Sequence, residues 1–171
     1  MSGFLRSLER LMAMDDRTWR RHANPWSGWT RVSGLPLLVL AGWSRVWIGW
    51  WAVAALAAVS LWIWLNPRVF PEPARLDAWM SRAVMGERVL LEHRDEIPEG
   101  HARASRVLTW LALPGGLLTI WGVVTLWWEA AVFGMALAIL PKFWFLDRMA
   151  WLHRDWVAAG RAVPGYGAQA G

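Results

Sequence analysis

Two apolar runs constrain this chain more than any other feature. From Val32 to Leu65 the sole charged residue is Arg45, and from Val107 to Pro141 it is Glu129. An apolar stretch of about 18 residues or more is long enough to cross a bilayer. As one straight helix the first run would reach ~50 Å, well past a hydrocarbon core of ~30 Å, and would hold Arg45 at depth. A hairpin removes both difficulties. The expected layout is a helix over 31–44, a turn near Arg45, and a helix over 47–65 closed by Asn66-Pro67. The uncharged part of the first helix, Val32 to Ser44, spans only ~20 Å, so it thins the bilayer, recruits flanking residues or is re-entrant. The second run divides alike, into helices over 106–121 and 125–145 with a turn near Gly122. The fold expected is all-α: one polytopic membrane domain of four transmembrane helices in two hairpins, plus cytoplasmic amphipathic helices. Its parts are an amphipathic segment (1–30), the first hairpin (31–65), a loop with a helix at 76–91 (66–105), the second hairpin (106–145), and an amphipathic helix with a flexible tail (146–171).

Composition supports this class. Of 171 residues 56% are hydrophobic and 18% charged, against roughly 45–50% and ~25% in soluble domains. The absence of cysteine excludes a disulfide scaffold, a thiolate metal site and a cysteine nucleophile. In the four-span layout 17 of the 18 Lys and Arg fall on one side, in 1–31, 66–106 and 141–171. The positive-inside rule makes that side cytoplasmic, with both termini inside. No cleavable signal peptide is visible, and Glu9, Asp15 and Asp16 argue against a mitochondrial presequence. Seventeen Arg to one Lys points to a GC-rich bacterium, hence to the inner (cytoplasmic) membrane. The basic residues are spread along the membrane flanks, so anionic lipid headgroups suit them and nucleic acid does not.

Seventeen tryptophans also follow the layout. Trp43, Trp47, Trp50, Trp51, Trp121, Trp127 and Trp128 fall near the outer tips. Trp26, Trp29, Trp62, Trp64, Trp110 and Trp144 fall near the inner ends. Indole is an apolar plate with one N–H donor and settles at headgroup level, so these are read as interfacial anchors, chiefly Trp26, Trp29, Trp43, Trp50, Trp51, Trp127 and Trp128. The competing reading is an aromatic cage for a flat or cationic ligand such as a tetrapyrrole or quinone; no cofactor is expected on the strength of abundance alone. Trp19, Trp79, Trp151 and Trp156 lie in amphipathic segments.

Those segments carry ionisable groups on apolar faces. The first has Phe4, Leu5, Leu8, Leu11 and Met12 on one face, followed by Asp15 and His22. Glu87 sits between Val84 and Leu90 in the loop helix, and His153 between Ala150 and Trp156 in the last. A charge on an apolar face must be paired or shift its pKa. Glu87 and His153, with His22 and Asp15, are therefore the candidate polar cluster. The plainer alternative pairs Glu87 with Arg31 or Arg148 and makes Asp15 or Asp16 a helix N-cap. His93 and His101 lie in a charged loop without the i, i+4 spacing of a metal site, so no metal is expected. No phosphate loop or G-x-S-x-G elbow occurs.

The run Arg21-His22-Ala23-Asn24-Pro25-Trp26-Ser27-Gly28-Trp29-Thr30-Arg31, with Trp64-Leu65-Asn66-Pro67-Arg68, Gly86-Glu87 and Trp144-Phe145-Leu146-Asp147-Arg148-Met149, resembles a family of small Trp-rich bacterial membrane proteins known only as a domain of unknown function. The resemblance covers about residues 8–156 and implies a membrane location, without any transferable activity or ligand. Tryptophan richness alone also suggests the translocator protein family, whose five-span layout and motifs are not seen here. The function expected is that of a non-enzymatic membrane protein, either an accessory subunit of a larger membrane complex or a small-ligand or lipid-binding module. The alternative is a membrane enzyme or transporter using the cytoplasmic-side Glu/His cluster.

Overall fold

The computed structural model describes residues 14–166; the expected apolar face of residues 4–12 and the end of the tail lie outside the described residues. Within them all regular structure is helical. α1 (Asp16–His22) starts where the Asp15 carboxylate accepts from the Thr18 N–H at 2.7 Å. α2 (Pro25–Val32) starts where the Asn24 side chain accepts from the Trp26 N–H at 3.0 Å, with Pro25 at the first helical position, where its missing N–H costs nothing. The chain continues as α3 (Gly34–Trp43), α4 (Arg45–Ile48), a 3₁₀ turn (Gly49–Trp51), α5 (Ala52–Val69), α6 (Trp79–Glu92), α7 (Glu99–Thr125) and α8 (Trp128–Ala158).

Three stretches are long and apolar enough to cross a membrane: Pro25–Val69, Glu99–Thr125 and Trp128–Ala158. The first is broken at Gly49, whose φ of 56° suits glycine best, and beyond it α5 packs along α3 with Gly34 against the Ile63 side chain. Between the other two the chain reverses at Leu126, the one non-glycine residue with positive φ among the described residues, and the Trp127 N–H caps the Gly122 carbonyl at 2.9 Å. α7 and α8 then touch backbone to backbone. A Cβ on Gly115 would stand 2.5 Å from the Ala138 nitrogen, and one on Gly134 2.5 Å from the Thr119 nitrogen. Small residues are what permit such close approach between apolar helices. At the reversal ends Arg45 Nη2 donates to the Val123 and Val124 carbonyls, 3.0 and 2.5 Å away. It thereby satisfies acceptors left open at the end of α7.

Much of the surface of these stretches is bare hydrocarbon, including Trp50, Leu117, Phe133 and Leu140. An apolar patch of this extent needs lipid or another protein to cover it. The buried core sits at the other end of the molecule. One cluster joins Met80, Val89, Leu90, Leu108, Phe145, Met149, Leu152 and Trp156; a second joins Trp19, Ala23, Leu76, Val84, Met85 and Val163. α6 crosses α8 where Gly86 meets the Met149 carbonyl.

Several helix ends differ from expectation. α5 runs through Pro67 to Val69, because a proline in the last turn forfeits one hydrogen bond that buried packing of Asn66 and Pro67 offsets. α7 starts at Glu99, taking in the end of the expected loop, and turns at Leu126–Trp127 rather than near Gly122. The separate helix expected after residue 145 is the continuation of α8, which carries Pro141 in its interior.

Candidate functional site

The site begins with a line of polar side chains from the α1–α2 elbow. Arg31 Nη1 lies 3.0 Å from His22 Nε2, and His22 Nδ1 lies 2.9 Å from Ser27 Oγ. Guanidinium can only donate, so Nε2 is the acceptor and the ring proton sits on Nδ1, donating to Ser27. Ser27 Oγ then donates to Asn66 Oδ1 at 2.9 Å, and Asn66 Nδ2 donates to Thr30 Oγ1 at 2.8 Å. Thr30 completes the line by donating to the Trp26 carbonyl at 2.6 Å. Alongside it, Asn24 Nδ2 donates to the Pro71 carbonyl at 3.0 Å and Arg21 Nη1 to the Arg68 carbonyl at 2.8 Å. The sequence run around Asn24-Pro25-Trp26 is thus a clasp that fastens α1 and α2 to the end of α5.

Above this clasp lies a cavity of about 500 Å³ between α1, α2, α3, α6, α7 and α8. His22, Arg31, Glu87 and Lys142 are its ionisable lining residues, and most of the others are apolar. Arg31 and Lys142 lie at the ends of the apolar runs, whereas Leu35, Ala112, Ala138 and Ile139 lie within them. Glu87 Oε1 is 3.5 Å from Lys142 Nζ, and Lys142 also stands 4.5 Å over the Phe145 ring. Behind the lining residue Phe143, Trp29 lies 6.2 Å from that ring and stacks on Trp79 at 5.9 Å, whose Nε1 donates to Asp147 at 3.3 Å.

Burial holds the His22 imidazole well below its ordinary value of 6.5, and the Arg31 and Lys142 charges push it further the same way. The folded protein therefore carries this ring neutral, while the unfolded chain takes up a proton below about pH 6.5. Above that value both states are neutral there and stability is flat with respect to this group. As pH falls below it, stability drops by up to about 1.4 kcal/mol per pH unit toward the lowered folded value. Thermal unfolding in mild detergent between pH 7 and 5 measures the slope, and His22→Gln is expected to remove this part of it.

Of the four residues expected to converge, His22 and Glu87 line the cavity together. His153 and Asp15 do not. His153 is buried on α8 outside the cavity lining, and neither ring nitrogen has a hydrogen-bond partner among the described residues. Asp15 is exposed and caps α1, its carboxyl held below the usual range by its hydrogen bonds to Thr18. Glu87 takes Lys142 as its ion-pair partner rather than Arg31 or Arg148. Arg31 and Lys142 were missing from the expected cluster, although one directly precedes the first apolar run and the other directly follows the second. A cation one residue outside an apolar run lies at a membrane boundary, and two such cations can meet only there.

Eleven of the thirteen tryptophans expected at the interfaces are exposed, while Trp43 and Trp62 are half-buried. Of these thirteen none lines the cavity; Trp19 does. His93 and His101 pair with Glu96 and Asp155, and no group of three metal-ligating side chains occurs among the described residues.

A family model described as a family of unknown function (DUF6653) matches residues 6–170, and the chain belongs to that family. No curated protein and no solved structure matches it.

Proposed function

We propose that this member of the DUF6653 family is a non-enzymatic, multi-pass protein of a bacterial inner membrane that binds a small apolar or amphipathic ligand. In this reading α3 with α5 and α7 with α8 form two hairpins, giving four spans with both termini cytoplasmic. The Lys and Arg on the inner flanks face anionic headgroups. The observation that carries the binding reading is the cavity itself, whose mostly apolar lining includes His22, Arg31, Glu87 and Lys142. Its volume falls within the roughly 300–1,000 Å³ of small-molecule sites. An enzyme or transporter built on Glu87 and His153 has less support, since His153 lies outside the cavity. A role as subunit of a larger membrane complex is compatible with ligand binding.

Native mass spectrometry of the full chain from mild detergent tests the binding. Monolaurin, an uncharged single-chain lipid, is expected to form a one-to-one complex that Ala138→Phe abolishes by filling the cavity. Equal binding by the filled variant rejects the cavity as the site. Single cysteines in the cysteine-free chain test topology: position 45 is expected to label from outside and position 93 only after permeabilisation. Labelling of position 93 in intact cells reverses the orientation.

A further inference from the structure

Building on the binding reading above, we propose that the cavity takes a single-chain amphiphile with an anionic head, held between Arg31 and Lys142, and that Glu87 is the counterion this head displaces. The charge of the lining carries the argument. Two cations there face one carboxylate, which leaves one positive charge for a ligand to neutralise. Arg31 is the less satisfied of the two. Its partner through Nη1 is the uncharged His22 ring at 3.0 Å, and the Glu87 carboxylate, which attracts its charge, stands beyond ion-pair distance from it and contacts Lys142 instead. A guanidinium has five N–H donors in a planar fork suited to carboxylate or phosphate. Lys142 is paired loosely: its contact with Glu87 is 3.5 Å and its side chain is 55% exposed. With the ammonium half in solvent, such a pair is worth little and exchanges readily.

Direction along the cavity supports an amphiphile rather than a free anion. Arg31 precedes Val32 and Lys142 follows Pro141, so both cations mark ends of the apolar runs. Leu35, Ala112 and Ala138 lie farther inside them. A head at the cations therefore sends its tail into the spans, as a lipid of the cytoplasmic leaflet does. The small side chains of Ala112 and Ala138 leave room for that tail. A carboxylate head and a phosphate head share this chemistry.

The test uses the full chain in mild detergent and three lauroyl probes, titrated by native mass spectrometry: monolaurin (uncharged), laurate (free carboxylate) and lauroyl lysophosphatidate (lipid phosphate). At least one anionic probe is expected to bind about tenfold or more tightly than monolaurin, the scale of one charge-assisted contact. A preference for laurate identifies a free fatty acid, and one for lysophosphatidate a lipid headgroup. Lys142→Gln should weaken the preferred anion while Glu87→Gln tightens it, and each change should exceed that of monolaurin by about tenfold. A residue that merely supported the wall would shift all probes alike. Equal affinity for all three probes, or weakening by both substitutions, overturns the anionic head and leaves the binding reading standing. Failure of all three to bind removes both.

Discussion

Replacing Gly86 with alanine is expected to destabilise the protein by about 3 kcal/mol, the upper range for forcing atoms into a packed interface. The helix α6 meets α8 at this residue, and the added methyl would land on the Met149 main-chain carbonyl. A side chain could rotate away; a carbonyl inside a helix can move only with the helix. The crossing must therefore open, and Met80, Val89, Leu90 and Met149, packed in the core around it, lose contact together. Gly116 provides the comparison, since nothing lies within 4 Å of the position a Cβ would take there. Gly116→Ala is expected to be neutral or to stabilise by up to about 1 kcal/mol through helix propensity. Thermal unfolding of the two variants in the same detergent should move in different directions. Equal midpoints for Gly86→Ala and wild type would show that the crossing yields without cost.

Asn66→Ala is expected to cost about 2–3 kcal/mol, because it removes two hydrogen bonds and takes away the acceptor of the buried Ser27 hydroxyl proton. Asn66 is fully buried, accepts from Ser27 and donates to Thr30. Ser27 is fully buried too. The loss should couple to Ser27→Ala by about 1 kcal/mol or more in a double-mutant cycle, since both residues act on one line of bonds. Additive effects would mean that the two bonds are independent. The clasp also presents Arg31 to the cavity, so Asn66→Ala is expected to weaken ligand binding beyond its effect on unfolding.

The apolar runs were legible because a segment able to cross a bilayer needs a minimum apolar length, and the breaks at Gly49 and Leu126 fall within a few residues of Arg45 and Gly122. Helix ends were less legible. Pro67 reads as a breaker in isolation, yet it lies inside a helix, since a single lost hydrogen bond is outweighed by packing around it. Half the expected cluster failed for a different reason. Periodicity assigns Glu87 and His153 to the apolar faces of their own helices, but not the angle at which α6 crosses α8. With Gly86 seated on Met149, Glu87 reaches Lys142 and the cavity, whereas His153, one turn beyond Met149, is enclosed elsewhere. Arg31 looked like a membrane flank because nothing in its neighbourhood of sequence shows that Lys142 will stand nearby.

The polar line from Arg31 to Trp26 has one direction throughout. Its head is a guanidinium, which has no lone pair to accept a proton, and its tail is a main-chain carbonyl, which has none to give. A proton wire needs every member able to reverse its role as the charge passes. Here reversal is blocked at both ends, so His22, though an imidazole amid hydroxyls, sits in a circuit that cannot conduct. Any ion or proton flux through this protein would have to take another route.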